Sequence, residues 1–266
     1  MENFKKVLVT GGAGYVGTVL LPQLLERNFE VTVYDKLLYG GNALMPFFRN
    51  KNFIFIKGDI RDKKRLVAAV AGKDVIIHLA GIVGFPICQK EPELARSVNV
   101  GGAENLASVV SRDQYVINAS TGSNYGAVTD GVCTEETPVN PLSIYGVTKT
   151  EAEMLLLEKT TCTALRFATA FGISPRMRLD LLINDLTYHA LKDRSLVIYE
   201  ASFMRTFIDV FDFARSIIFA IDNEIKTKGQ IYNVGGDNMN YSKKAICELI
   251  AKETGAYVHY AEIGED

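Results

Sequence analysis

Through the first 167 residues, short apolar runs alternate with longer stretches of helical periodicity. The runs Lys6–Thr10, Glu30–Tyr34, Phe53–Lys57, Asp74–Leu79, Tyr115–Ala119 and Thr163–Phe167 read as strands. Most are apolar at consecutive rather than alternate positions, the pattern of parallel strands covered on both faces. Tyr15–Arg27, Lys63–Ala71, Glu93–Ser111 and Ile144–Lys159 lie between them and read as helices. In the last, Glu151, Glu153 and Glu158 are expected on a wet face, with Ala152 and Leu155–Leu157 on a buried one. A strand–helix series with short connections predicts an α/β fold, a doubly wound parallel sheet. Right-handed crossovers then place a ligand at the carboxyl ends of the strands.

After Phe167 the rhythm changes. Short strands (Leu196–Tyr199, Gln230–Val234, one near Val258) mix with helices over Leu179–Leu191, Val210–Asp222 and Ser242–Glu253. Residues 1–167 are therefore expected to form the main domain and 168–266 mostly a smaller C-terminal lobe, with segments near 205–235 returning to the sheet. At 266 residues there is enough chain for such a core. With 29 Lys and Arg against 31 Asp and Glu, the net charge of −2 gives no general attraction to nucleic acid. No apolar run approaches the roughly 20 residues needed to span a bilayer, so no membrane partner is expected. Four scattered cysteines without a CxxC pair, and three scattered histidines without HExxH spacing, point to a cytoplasmic protein with no metal site. The short apolar segment at the N-terminus does not suit a signal peptide.

The first strand runs into Gly11-Gly-Ala-Gly14-Tyr15-Val16-Gly17. Glycines at 11, 14 and 17 allow a tight turn, close approach of a pyrophosphate and close packing of the next helix, whose N-terminal N–H groups face the phosphates. The second strand leads to Asp35, where a carboxylate would accept hydrogen bonds from an adenosine ribose. A carboxylate there repels a 2′-phosphate and favours NAD over NADP, although Lys36 next door could offset part of that repulsion. This completes the expectation of a Rossmann-type cofactor domain.

Tyr145 and Lys149 are spaced i, i+4 and share one face of their helix. Among twelve tyrosines this spacing alone is uninformative; its neighbours give it weight. The strand ending at Ala119 leads into Ser120-Thr121-Gly-Ser123-Asn-Tyr125-Gly126, a hydroxyl cluster at the ligand end of the sheet. A lysine ammonium beside Tyr145 is expected to lower the phenol's pKa so that it exchanges protons with a sugar hydroxyl, with Thr121 on the same oxygen. No GxSxG elbow supports a nucleophilic serine.

The set GGAGYVG at 11–17, Gly58-Asp59-Ile60, His78-Leu79-Ala80-Gly81, Asn99, Ser120-Thr121 with Tyr125-Gly126, and Tyr145-x-x-x-Lys149 resembles the extended short-chain dehydrogenase/reductases. Within them the chain is similar to the nucleotide-sugar epimerases and dehydratases, and Arg205-Thr-Phe-Ile-Asp209 and Tyr232-Asn-Val-Gly-Gly236 match later signatures. The resemblance implies that Asp59 and Ile60 contact adenine, that Leu79, Ala80 and Gly81 with Asn99 line the cofactor channel, and that Lys149 also holds the nicotinamide ribose. It makes Tyr145 the base and Thr121 its partner. Arg205 would grip a substrate diphosphate, while Asn184 and Ser123 would contact the substrate. It also implies a homodimer through the helices near Glu93–Ser111 and Ile144–Lys159.

Departures narrow the reaction. The family's 4,6-dehydratases carry Asp-Glu directly after the catalytic hydroxyl, where this chain has Gly122 and Ser123. Galactose-type epimerases carry asparagine where Thr169 stands. Phe171 to Asp180 is similar to a bacterial branch that includes GDP-heptose 4-dehydrogenases; its Arg176 and Arg178 could bind phosphate or a charged sugar, or pair with Asp180. Set beside that family, the chain is expected to stop before the last helices of the substrate lobe. The expected activity is an NAD-dependent nucleotide-sugar epimerase working through C4 hydride abstraction and a 4-keto intermediate. A nucleotide-sugar 4-dehydrogenase or ketoreductase is the alternative, and a non-catalytic dinucleotide sensor a third.

Overall fold

A computed structural model of the chain describes residues 5–127 and 131–261. In chain order the strands are β1 (Lys6–Thr10), β2 (Glu30–Asp35), β3 (Phe53–Lys57), β4 (Val75–His78), β5 (Tyr115–Thr121) and β6 (Thr161–Phe167), followed by β7 (Thr169–Phe171), β8 (Ser195–Ile198), β9 (Met204–Asp209), β10 (Ile231–Val234), β11 (Asn240–Ser242) and β12 (Tyr257–Tyr260). The helices are α1 (Tyr15–Glu26), α2 (Lys63–Val70), α3 (Phe85–Lys90), α4 (Pro92–Val109), α5 (Ile144–Lys159), α6 (Leu182–Asp193), α7 (Val210–Asp222), α8 (Glu224–Thr227) and α9 (Lys243–Thr254).

Seven strands form one sheet in the order β3-β2-β1-β4-β5-β6-β10, and every pairing in it is parallel. The order reverses between β1 and β4, which opens a crevice at their carboxyl ends. Consecutive side chains of each strand point to opposite faces, and both faces are apolar. Val7, Val9, Val33, Ile77 and Ile117 pack with Leu20, Leu24, Ile217 and Ile221 from α1 and α7. Leu8, Ile76, Val116 and Cys162 pack with Leu66, Leu106, Ala152 and Leu156 from α2, α4 and α5.

The rest of the chain builds two small sheets, β11-β9-β7 and β12-β8. They share an apolar cluster with α6 and α9 that includes Leu186, Leu196, Phe207 and Ile246. β10 returns to the edge of the main sheet, pairing Tyr232 with Leu165. Serine and aspartate caps start four helices: Asp62, Ser143, Asp209 and Ser242 each accept a backbone N–H of the first turn. No helix among the described residues is long and apolar enough to cross a membrane.

Two sequence expectations need correction. Glu153 does not lie on a wet face but is 1% exposed, because Arg166 of β6 reaches it from below α5. The helix expected from Leu179 starts at Leu182, since Arg178 and Asp180 are paired in the preceding loop.

Packing is tight where β3 leaves the sheet. A Cβ on Gly58 would collide with the buried ring of Tyr34, whose hydroxyl donates to Asp59 O at 2.9 Å. Gly58→Ala is expected to lower the unfolding free energy by about 1–3 kcal/mol, read from urea denaturation of the purified protein.

Candidate active site

β1 ends at the switch point, and Gly11 turns the chain there with φ +73°. Its N–H donates to Tyr34 O at 2.9 Å, and a Cβ on it would stand 2.6 Å from Ala80 N. Gly14 N–H closes the turn onto Gly11 O at 3.0 Å. α1 starts with Gly14 as its N-cap and no side-chain cap. Its first backbone bond runs from Thr18 N–H to Gly14 O, leaving the N–H groups of Tyr15, Val16 and Gly17 in the uncapped first turn. Gly17 packs on the Gly12 backbone so closely that a Cβ would collide with it.

Asp35 faces this loop, accepting from Ala13 N–H at 3.0 Å and Leu37 N–H at 2.7 Å. Burial raises its pKa, and the two N–H bonds oppose that. A carboxylate bonded this way keeps lone pairs for ribose hydroxyls and opposes a phosphate. Lys36 does not turn toward Asp35 but pairs with Asp59 at 3.0 Å, beside Arg61 at 2.7 Å. Arg61 first, then Lys36, hold the Asp59 carboxyl well below the usual carboxylate range. Ile60 is buried against Gly102. Leu79, Ala80 and Gly81 continue β4 past the sheet, with Leu79 N–H on Thr10 O at 3.0 Å. Asn99 accepts from Ile82 N–H at 2.8 Å and donates to Ile82 O and Thr148 Oγ1, so its amide ties this loop to α5.

Across the crevice, Ser143 caps α5 and sets Tyr145 in its first turn. Thr121 acts on the Tyr145 phenol from the end of β5, and its own Oγ1 accepts Ser123 N–H at 3.2 Å. Ser123 itself is exposed. Burial raises the Tyr145 pKa; Thr121 and the Arg178 guanidinium lower it, while Cys88 adds to the rise. The phenol is therefore raised rather than depressed as expected, and the cation acting on it is Arg178 rather than Lys149. Lys149 lies one turn further along α5, where burial pushes its pKa down to about 8 against the opposing charge of Glu153. Its neighbour His78 is held neutral, with a pKa near 3, by burial and then by the Lys149 charge. His78 Nδ1 shares a 2.8 Å hydrogen bond with Thr10 Oγ1.

The segment after β7 is stitched onto α1. Tyr15 Oη donates to Gly172 O at 2.7 Å, and Thr18 Oγ1 meets Ser174 Oγ at 2.9 Å. Asn184 is buried, and its amide accepts from Gly172 N–H at 2.9 Å and donates to Arg178 O at 2.9 Å. Arg176 stacks over the Tyr39 ring at 4.3 Å. Arg178 pairs with Asp180 and stays within electrostatic reach of Tyr145. Arg205 is exposed on β9, 5.2 Å over the Phe203 ring. Thus the glycine loop, Asp35 and Thr121 stand at the carboxyl ends of β1, β2 and β5, while α5 carries Tyr145 and, one turn on, Lys149. Sequence reasoning missed His78, Cys88, Glu153 and Arg166 as neighbours of that set. Among the described residues no group of three His, Cys, Asp or Glu could hold a metal ion.

The NAD dependent epimerase/dehydratase family model matches residues 7–235. The chain belongs to this family. NAD is accordingly its cofactor, and the uncapped first turn of α1, the Gly11 turn and Asp35 fit a dinucleotide. The chain is 30% identical over 272 residues to the low-salt glycan biosynthesis protein Agl12 of Haloferax volcanii, covering 98% of this chain and 86% of that one. It is 28% identical over 276 residues to a dTDP-glucose 4,6-dehydratase of Streptomyces niveus, covering 94% and 78%. Among solved structures it superposes with TM-score 0.86 on a UDP-glucuronic acid 4-epimerase from Bacillus cereus in complex with UDP-glucuronic acid and NAD, at 27% identity, covering 97% and 86%.

Burial of the Lys149 ammonium carries an electrostatic cost. A lysine whose pKa is about 8 when folded and 10.5 when unfolded binds fewer protons in the folded state between those values. Stability then rises with pH through that window, and the penalty is complete below it. NAD-free Lys149→Met should be more stable than the parent at pH 7 by up to about 3 kcal/mol. That advantage should shrink between pH 8 and 10.5 in parallel urea titrations. A difference independent of pH would show that Lys149 is not desolvated.

Proposed function

We propose that this member of the family is a nucleotide-sugar epimerase that oxidises the C4 hydroxyl of its substrate and reduces the resulting 4-keto sugar from the other face. The reading is carried by the surroundings of the Tyr145 phenol, on which Thr121 acts from the end of β5. The side chains acting on that phenol are Thr121, Cys88 and Arg178, none of them a carboxylic acid. Removing water from C5–C6 needs both a proton donor and an acceptor beside the sugar, and Gly122 and Ser123 supply neither. The buried Glu153 is already engaged by Arg166, Ser120 and Asn124. Relatives with both names, a 4,6-dehydratase and a 4-epimerase, lie at similar distance from this chain, so the reading rests on these residues.

In this mechanism Tyr145 takes the hydroxyl proton while Thr121 holds the same oxygen. Bound NAD supplies the acceptor for the hydrogen on C4 and returns it. Ionising a phenol whose pKa burial raises needs cations nearby. Arg178 is one, and Lys149 remains protonated below about pH 8. Lys149 also faces the ribose of the nicotinamide half, Asp35 the adenosine ribose, and Asp59 and Ile60 the adenine. Residues 1–167 hold the cofactor and the reacting pair, and residues 168–266 mostly hold the sugar nucleotide, with Arg205 toward the diphosphate.

The test is a panel of UDP-, GDP-, CDP- and dTDP-sugars, uronic acids included, with product NMR and absorbance at the NADH band. An inverted sugar with no net NADH supports the reading. NADH that accumulates with a released keto sugar identifies a 4-dehydrogenase, such as one acting on a GDP-heptose. An unsaturated or deoxy product identifies a dehydratase. Either of the last two outcomes overturns it. On the substrate so found, Tyr145→Phe should lose about 10²- to 10⁴-fold in kcat while binding NAD normally.

A further inference from the structure

Glu153 is four residues after Lys149, so its side chain leaves α5 on the same face one turn along. It is 1% exposed, and its partner Arg166 is 6% exposed. Oε1 accepts from Arg166 Nη2 at 2.6 Å and Nε at 3.1 Å. Oε2 accepts from Ser120 Oγ at 2.5 Å and Asn124 Nδ2 at 2.9 Å. Ser120 and Asn124 bracket Thr121 in the chain, and Asn124 Nδ2 also donates to Ser120 Oγ at 3.0 Å. One carboxylate thus grips the chain on both sides of the threonine that meets Tyr145. Arg166 extends the network through Tyr125 Oη at 2.8 Å to Asn233 Oδ1 at 2.7 Å.

We propose that Glu153 is a positioning residue for the proton transfer: its buried carboxylate locks the Tyr145–Lys149 helix to the end of β5 and is the negative charge facing the Lys149 ammonium. Five hydrogen bonds from three residues exceed what fixing α5 on an apolar sheet requires. The helix already has Ala152 and Leu156 in the core on that side. A buried ion pair adds little net stability over an apolar replacement of similar volume, so stability alone does not account for it. It does account for the alignment of Thr121 with Tyr145, where misplacement by about 1 Å costs rate steeply. The groups facing Lys149 are His78 from β4, Cys88 from α3, and Glu153 on its own helix. With His78 neutral, Glu153 is the anion that opposes the desolvation of the ammonium.

The proposal rests on the proton-transfer role given to Tyr145 and Lys149, but its first test needs no substrate. In NAD-loaded protein labelled with [13C]lysine, Lys149→Met assigns the Lys149 resonance, and its titration midpoint is read by NMR. Glu153→Gln should lower that midpoint by about one pH unit. A midpoint that stays in place overturns the proposal, whatever sugar the enzyme uses. If Glu153→Gln does not fold, the double variant Glu153→Met with Arg166→Met removes both buried charges together and decides by the same measurement. With a substrate in hand, the double variant should bind NAD, show a lowered midpoint and lose roughly 100-fold in kcat with KM little changed. A folded double variant with parental midpoint and kcat shows a merely structural pair and overturns the proposal.

Discussion

The arrangement depends on how closely two backbones meet at the centre of the sheet. Gly11 at the end of β1 lies against Ala80 beyond β4, with no room between them for even one Cβ. Because the strand order reverses there, the chain leaves β1 to one side and β4 to the other, and the crevice begins where they separate. The approach also sends the chain from Gly11 directly into α1, whose uncapped first turn then points its N–H groups into the crevice. Only a residue without a side chain, at φ +73°, satisfies both demands.

Polarity follows the same geometry. Rows of apolar side chains fill the middle of the sheet, but the rows at its carboxyl ends are polar: Thr10 beside His78, then Ser120 beside Arg166. α5 crosses over these rows, so the turns that carry Lys149 and Glu153 meet polar partners, while Ala152 and Leu156 meet apolar ones. The helix has little hydrophobic asymmetry to orient it because its inner face is itself part polar. Lys149 is desolvated there, and its charge persists because an anion lies one turn away.

This explains which parts were legible in the sequence. The β1 turn, α1, Asp35 and the Tyr145–Lys149 pair depend on residues close in the chain, and local patterning places them within a few positions of their final bounds. Glu153 was misread because Glu151 and Glu158 share its helix and are common on wet faces; only Arg166, thirteen residues on, decides its burial. Lys36 and Arg176 were read as cations near a ligand end, and their partners Asp59 and Tyr39 come from other segments. The short strands β7, β9 and β11 carry too few residues for a period to show. α3, six residues long with proline in its first turn, likewise lacks a full repeat.

The stitching of 172–184 onto α1 joins the two halves of the molecule at the turn that faces the cofactor. Backbone N–H groups of that turn point into the crevice, while Tyr15 and Thr18 side chains point the other way, to Gly172 and Ser174. Asn184 then carries the connection into α6 by holding Gly172 and Arg178 together. Arg178 in turn reaches back toward Tyr145. Asn184, by its hydrogen bonds, fixes the loop that carries Arg178, a cation acting on the Tyr145 phenol. The smaller lobe is therefore not a module laid on a finished cofactor domain. Its first loop and the first turn of α1 define each other's position, and the electrostatics at Tyr145 depend on both.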